Sequence, residues 1–216
     1  MRVLVACEYS GTVRRAFAAL GHDAWSCDLL PADDRSPNHI QGDVLPIAGR
    51  GDWDLMIAHP PCTYLSVSGL HWNKRTIGRA EKTEAALDFV RQLLAAPIPK
   101  IALENPVSCI SSRIRKPDQI IQPWHFGDDA SKKTCLWLKG LPLLRQTNRL
   151  QGDARTRRAN QTPSGQNKLG PSPDRWKLRS ITYPGIAAAM ADQWGVDPRL
   201  AIALQTTRQA KQGSSP

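Results

Sequence analysis

An α/β fold built on a doubly wound, mostly parallel sheet is predicted by three observations in the 216-residue sequence. Short apolar runs alternate with segments of helical period, the pattern left by repeated strand–helix–strand units. Several of those runs are apolar along their whole length, which places them in a sheet covered on both faces. Residues able to do chemistry gather just past the ends of the runs, where ligands bind in open α/β sheets.

The elements follow in order. "RVLVAC", from Arg2 to Cys7, reads as a first strand, and "TVRRAFAALGH" as a helix with Val13, Ala16, Phe17 and Leu20 at helical spacing and Gly21 as its stop. "DAWSCDLL" reads as a second strand ending near Asp28, and "DLMIAH" as a buried strand ending at His59. "RAEKTEAALDFVRQLLAA" places Ala86, Val90, Leu93 and Leu94 on one helical face, and Pro97 and Pro99 end it before the strand "KIALE". "TCLWLKGLPLL" is strand-like, and "SITYPGIAAAMADQWG" is helical, with Pro184 in its first turn and Ile186, Ala187, Met190, Ala191 and Trp194 on one side.

Composition narrows the class. A hydrophobic fraction of 41% with seven tryptophans suits one globular domain, and no apolar run approaches the roughly 20 residues that cross a bilayer. The N-terminal apolar run is shorter than a secretory core and is interrupted by Glu8, so a strand is expected there and not a signal. Cys7, Cys27, Cys62, Cys109 and Cys135 form an odd set without zinc spacing, which suits reduced thiols in a cytoplasm and no metal. The net charge of +10 is local: Arg145 to Arg179 carries nine Lys or Arg against two Asp. Two readings of that block stand, a polyanion-binding segment and a solvated loop.

The strand-end residues Glu8, Ser10, Asp28, His59 to Cys62, Glu104 and Asn105 fall where one crevice could hold them all. In "DLMIAHPPCTYLSVSG", Cys62 follows a strand and two prolines, which fix φ and cannot extend a ladder. Such a stiff loop suits a nucleophile, provided that a positive charge or helix N-terminus lowers the thiol pKa; the alternative is a small hydrophobe closing a strand. In "IALENPVSC", Glu104 and Asn105 end the next core strand before Pro106 turns the chain. A carboxylic acid beside a thiol makes a nucleophile and acid pair.

The Pro-Pro-Cys loop and the "LENP" stretch, in this order and strand context, resemble the catalytic motifs of the cytosine-C5 DNA methyltransferases. The resemblance covers roughly Val3 to Leu143 and Ser180 to Trp194. It implies a Rossmann-like S-adenosylmethionine-dependent methyltransferase fold, with Cys62 adding to C6 of cytosine, Glu104 holding or protonating N3, Asn105 beside it in the motif, and a methyl group passing from S-adenosylmethionine to C5. Both side chains are needed because C5 is a poor nucleophile until C6 is attacked, and that attack is uphill unless charge at N3 is neutralised.

For the cofactor, the resemblance implies contacts from Cys7, Glu8, Ser10 and Gly11 after the first strand, from Asp28, from Asp43 in "QGDVLPI", and from Pro60. Glu8 and Ser10 stand where the family has glycines, so a carboxylate toward the methionine ammonium replaces part of the usual backbone cradle. Asp28 is placed to take two ribose hydroxyls, while Asp43 reads either as a partner of the adenine amino group or as a turn aspartate.

"FGDDASKKTCLWLKG" resembles the family's segment with two substrate arginines, which places Lys132 at one of them and Thr134, which cannot act as a guanidinium fork, at the other. His59 departs from the small residue usual before Pro-Pro-Cys; it either tunes Cys62 or caps the strand end. The family's large recognition domain is replaced by the basic segment alone, in which Arg155, Arg157, Arg158, Lys168 and Arg175 are expected to contact duplex or single-stranded DNA, with Trp176 either stacking on bases or packed on the core.

The expected organisation is a catalytic core over 1–144, a basic loop or vestigial recognition segment over 145–179, a C-terminal helix completing the core over 180–205, and a flexible tail over 206–216. The expected function is DNA cytosine-C5 methylation in the cytoplasm of a bacterium or phage-infected host, the compact form suggesting a phage or prophage source. The competing readings are a catalytically silent protein binding S-adenosylmethionine or nucleic acid, a methyltransferase on RNA or a free nucleotide, and one acting on an exocyclic amino group, which Cys62 in place of the usual aromatic argues against.

Overall fold

A computed structural model describes residues 1–196. The expected tail over 206–216, and the part of the C-terminal helical segment beyond 196, lie outside the described residues.

Seven strands form one sheet: β1 (Arg2–Ala6), β2 (Asp23–Asp28), β3 (His39–Gln41), β4 (Leu55–Ala58), β5 (Lys100–Pro106), β6 (Gln119–Ile121) and β7 (Thr134–Lys139). Their spatial order is β3-β2-β1-β4-β5-β7-β6, parallel throughout except at β7, which runs antiparallel to both of its neighbours. This order, with helices on both faces, is the Rossmann-like methyltransferase fold. β3 and β6 are three residues each, too short to leave a period in the sequence.

Alternation along β1 assigns the two cores. Leu4 and Ala6 face one side, where Met56, Ile101 and Leu103 meet Leu87, Val90 and Leu93 of α3 (Arg79–Ala95). Val3 and Val5 face the other, where Leu55, Ile57 and Leu136 meet Val13 and Phe17 of α1 (Thr12–Ala19) and Ile186, Met190 and Trp194 of α6 (Pro184–Trp194). The buried stripe of α3 runs through Thr83 and Leu87, and Ala86 and Leu94, expected on that face, are half-buried flanks. Between β3 and β4 lies α2 (Val44–Ala48); α4 (Ile110–Arg113) and α5 (Arg175–Ser180) complete the helices among the described residues. The helix α3 stops before Pro97, whose ring disfavours helical backbone at Ala96. Each buried tryptophan indole of Trp53, Trp137 and Trp194 donates to a backbone carbonyl, so the cores carry these rings without an orphaned N–H. No described helix is long and apolar enough to cross a membrane.

Candidate active site

The site lies at the carboxyl ends of β1, β4 and β5, beside the point where strand order reverses. β4 closes at Ala58, and the His59 amide still donates to the Ala6 carbonyl (2.9 Å) before the two prolines turn the chain. The Cys62 carbonyl accepts from the Leu65 and Ser66 amides (3.0 and 2.9 Å), which closes a tight turn and leaves Cys62 exposed. On β5, the Asn105 amide donates to the Pro60 carbonyl (2.8 Å) and ties the two strand ends together. Asn105 is buried, so it acts on the loop that carries the thiol, and Pro60, expected at the cofactor, presents its carbonyl to this clamp.

Glu104 is the buried acid of the group. Its Oε2 lies 3.1 Å from His59 Nδ1, with the two side chains 10% and 7% exposed. Burial disfavours the ionised carboxyl, yet the Lys132 charge, the His59 hydrogen bond and charge, and the Thr134 hydroxyl outweigh it and hold Glu104 below the ordinary carboxylate range. The Cys62 thiol is pushed up, first by desolvation among the surrounding loop atoms and then by the Glu104 charge, against the downward pull of Lys132 and Arg179. The condition set by the sequence for a nucleophile, a positive charge that lowers the thiol, is present only in part: Lys132 and Arg179 pull it down, while desolvation and the Glu104 charge outweigh them. Lys132 has the predicted position and donates from Nζ to the Arg179 carbonyl (3.2 Å). Arg179 and the contact between His59 and Glu104 went unrecognised in the sequence; His59 stood out only as an odd residue before the prolines, and Arg179 only as one cation in a run.

A cavity of about 460 Å³ opens beside these groups. Ser66 and Val67 of the Cys62 loop, Pro106 after β5, Lys132, and Arg179 and Tyr183 from the C-terminal part of the chain line it.

At the end of β1, the strand leaves Cys7 in the left-handed region (φ 59), and Gly11 (φ 66) opens α1. Glu8, expected at the cofactor ammonium, is buried and accepts from the Val13 and Arg14 amides (2.7 and 3.2 Å), so it caps the first turn of α1, with the Ser10 hydroxyl 3.4 Å away. The carboxylate expected at the cofactor ammonium is thus shared with the orphan amides of the helix. Asp28 is half-buried at the end of β2; Oδ1 accepts from Leu30 (2.9 Å), and burial raises its carboxyl. Asp43 accepts from the Leu45 amide (3.0 Å) as the N-cap of α2, which is the turn role of its two readings. Cys7, half-buried, has its thiol pushed far up by desolvation and then by the negative charges of Asp28 and Asp43.

The basic segment is docked and not free. Asn160 clamps it to the approach to β7, donating to the Ser131 carbonyl (3.1 Å) and accepting from the Ser131 amide (2.9 Å). The α5 end reaches the β1 loop, where the Tyr9 hydroxyl donates to the Lys177 carbonyl (2.6 Å). Arg155, Arg157 and Lys168 are exposed, Arg175 is half-buried, and Trp176 is 58% exposed, the state its stacking reading needs. Arg158 contradicts expectation: it is 5% exposed, with its guanidinium 4.8 Å from the Trp124 ring and 3.8 Å from Asp129. A delocalised, weakly hydrated cation packs on an aromatic face at less cost than an ammonium, which is why this position is drawn into the fold while its neighbours stay in water.

No protein-family model matches the chain, and no curated protein matches it. Among solved structures, one similar chain is a candidate DNA modification methyltransferase encoded within a prophage of E. coli, with a TM-score of 0.41 and 13% identity over 63% of this chain. The match spans 45% of that chain's own length. At that distance the likeness carries no argument about activity, which has to come from the site.

Proposed function

We propose that the protein is an S-adenosylmethionine-dependent methyltransferase acting at C5 of cytosine in DNA. The observation that carries this reading is the meeting of an exposed thiol on a proline-stiffened turn with a buried carboxylate on the adjacent strand, each within electrostatic reach of the other and of Lys132. A nucleophile and a proton carrier so placed can attack one end of a conjugated ring while neutralising the other.

The residues fit S-adenosylmethionine in part. Asp28, half-buried with one oxygen on its own loop, would hold the ribose hydroxyls; the end near Gly11 would receive the methionine moiety without free help from Glu8. When bound, that molecule supplies the methyl group. The chain's own residues do the rest. Cys62 sulfur bonds to C6, the C5–C6 π pair shifts toward C4, and the C4–N3 π pair takes a proton at N3. In the free protein the thiol holds its proton and Glu104 is ionised, so the net proton movement of the addition runs from sulfur to N3, with Glu104 as carrier. The C5 proton is later lost to water, which restores the double bond and expels the Cys62 thiolate, and the thiolate takes back the N3 proton through Glu104.

In this reading 1–144 is the catalytic core, 145–179 is a docked basic wall facing the nucleic acid, and the chain from 180 completes the core. Incubation with mixed DNA and methyl-labelled S-adenosylmethionine, followed by digestion to nucleosides, is expected to place label on C5 of deoxycytidine. Two observations favour a second reading, a catalytically silent binder: the thiol is held up and Glu8 caps α1. That reading predicts cofactor binding with no label on any base.

A further inference from the structure

We propose that His59 is a positioning residue that orients Glu104 and sets the pH range over which it carries its proton; the proposal rests on the methyltransferase reading. The geometry is specific. Nδ1 lies 3.1 Å from Glu104 Oε2, both side chains are at least nine-tenths buried, and His59 Nε2 is buried with no partner among the described residues. An ionised carboxylate only accepts, so the ring nitrogen facing it must carry hydrogen. The contact therefore fixes both ring and carboxylate, with Oε2 held by His59.

The unpartnered Nε2 supports a role beyond packing. A buried polar nitrogen without a partner costs stability, and an apolar residue would end β4 without that cost. What the imidazole adds is a buried hydrogen-bond donor held on Glu104. The groups around the pair are Lys132 from the approach to β7, Cys62 from the following loop, Cys135 on β7 and, through Cys62, Arg179. The proton that leaves sulfur passes through Glu104, held by His59, to N3 as sulfur bonds to C6, and returns from N3 by the same route to the Cys62 thiolate when it leaves; the C5 proton that the methyl group replaces goes to water, so the pair itself gains and loses none over the cycle.

The test uses His59→Ala, which removes the donor, and His59→Asn, whose side-chain amide restores a neutral donor near Nδ1. In the ligand-free protein, carbon-13 NMR of labelled glutamate carboxyls is expected to show the Glu104 titration moved to higher pH in His59→Ala and partly restored in His59→Asn. In turnover, His59→Ala is expected to lose about tenfold in kcat, the scale of one hydrogen bond to a charged group, with KM little changed and the acid limb of the pH profile moved to match. Circular dichroism confirms that each variant is folded, and an unfolded His59→Ala leaves the comparison of wild type with His59→Asn to decide. An unchanged Glu104 titration in a folded variant, or a uniform loss of rate at every pH, overturns the proposal. A wild type that binds S-adenosylmethionine but labels no cytosine overturns the methyltransferase reading instead, whatever the titration shows.

Discussion

The ends of β4 and β5 and the basic segment 145–179 meet at one cavity, yet they place their residues by opposite means. Cys62, Glu104 and Asn105 follow from strand pairing: Ala58 lies opposite Leu103, where β4 ends while β5 runs on beside β7 through Pro106, so Glu104 and Asn105 are set next to the loop that carries Cys62. The basic segment has one short helix and is held by single side-chain clamps such as Asn160. Pairing puts the residues after a strand within reach of those after its neighbour, whatever they are; a clamped loop decides residue by residue what is buried, and Arg158 goes in while Arg157 stays out. Strand-end substitutions should therefore abolish chemistry in a folded protein, whereas substitutions in the segment should divide between stability and affinity.

The largest effect is expected at Cys62. Cys62→Ser should show no measurable methyl transfer and keep S-adenosylmethionine affinity within a few fold, because a hydroxyl gives up its proton far less readily than a thiol and the thiol touches the nucleobase alone. DNA carrying 5-fluorocytosine should trap a covalent adduct with the wild type only, and an adduct on the variant would show the nucleophile to lie elsewhere.

Glu104→Gln should lose about 10²- to 10⁴-fold in turnover while keeping DNA binding, the usual worth of a positioned acid. The same substitution should change thiol reactivity in the opposite direction. The Glu104 negative charge raises the Cys62 thiol; removing it lowers the pKa, so more thiolate is present at a given pH. Alkylation of Cys62 by iodoacetamide should then reach half its maximal rate at lower pH in Glu104→Gln than in the wild type. Equal alkylation profiles would separate the two groups and remove the pair on which the reading stands.

At the cofactor end, Asp28→Ala should weaken S-adenosylmethionine binding by about 1–3 kcal/mol by calorimetry, the cost of removing a charged acceptor from ribose hydroxyls. Unchanged affinity would move the cofactor away from the end of β2.

What was legible in the sequence follows the same division. The fold was readable because β1, β4 and β5 carry unbroken apolar runs, Val3 to Ala6, Leu55 to Ala58 and Ile101 to Leu103, and the helices between them keep their period. The grouping of Cys62 with Glu104 was readable because strand ends are fixed by topology. The ionisation of the thiol was not, since it depends on the balance of Glu104, Lys132 and Arg179 at distances no spacing encodes. Glu8 is ambiguous for a related reason: a carboxylate five residues before a helix amide looks the same in sequence whether it caps that amide or waits for a ligand. Arg158 shows the limit, because nothing local separates it from Arg157; only the position of Trp124, brought near by the fold, does.

Arg158 gives a moderate effect of a different kind. Arg158→Ala should lower unfolding free energy by about 2 kcal/mol, the scale of a desolvated cation on an aromatic face, and should leave the salt dependence of DNA binding unchanged. A folded variant of native stability with a shallower salt slope would return Arg158 to the phosphate-binding role that its burial argues against.

The smallest effect is expected at its exposed neighbours. Arg155 and Arg157 make no ion pair among the described residues, so replacing both with glutamine should leave thermal stability near that of the wild type. Cations left uncompensated in water can displace counterions from a phosphate backbone, and that displacement sets how steeply affinity falls with salt. The double variant should flatten the slope of log affinity against log salt by about 0.9 for each duplex phosphate that the two arginines neutralise in the wild type. Flipping a cytosine out of the stack costs a few kcal/mol, which phosphate neutralisation helps to offset, so turnover on duplex should fall more than turnover on single strands, where no partner base has to be left. Measuring both substrates at two salt concentrations separates a basic wall that holds DNA from a solvated loop: the wall predicts a flatter slope and a larger fall on duplex, and the loop predicts neither.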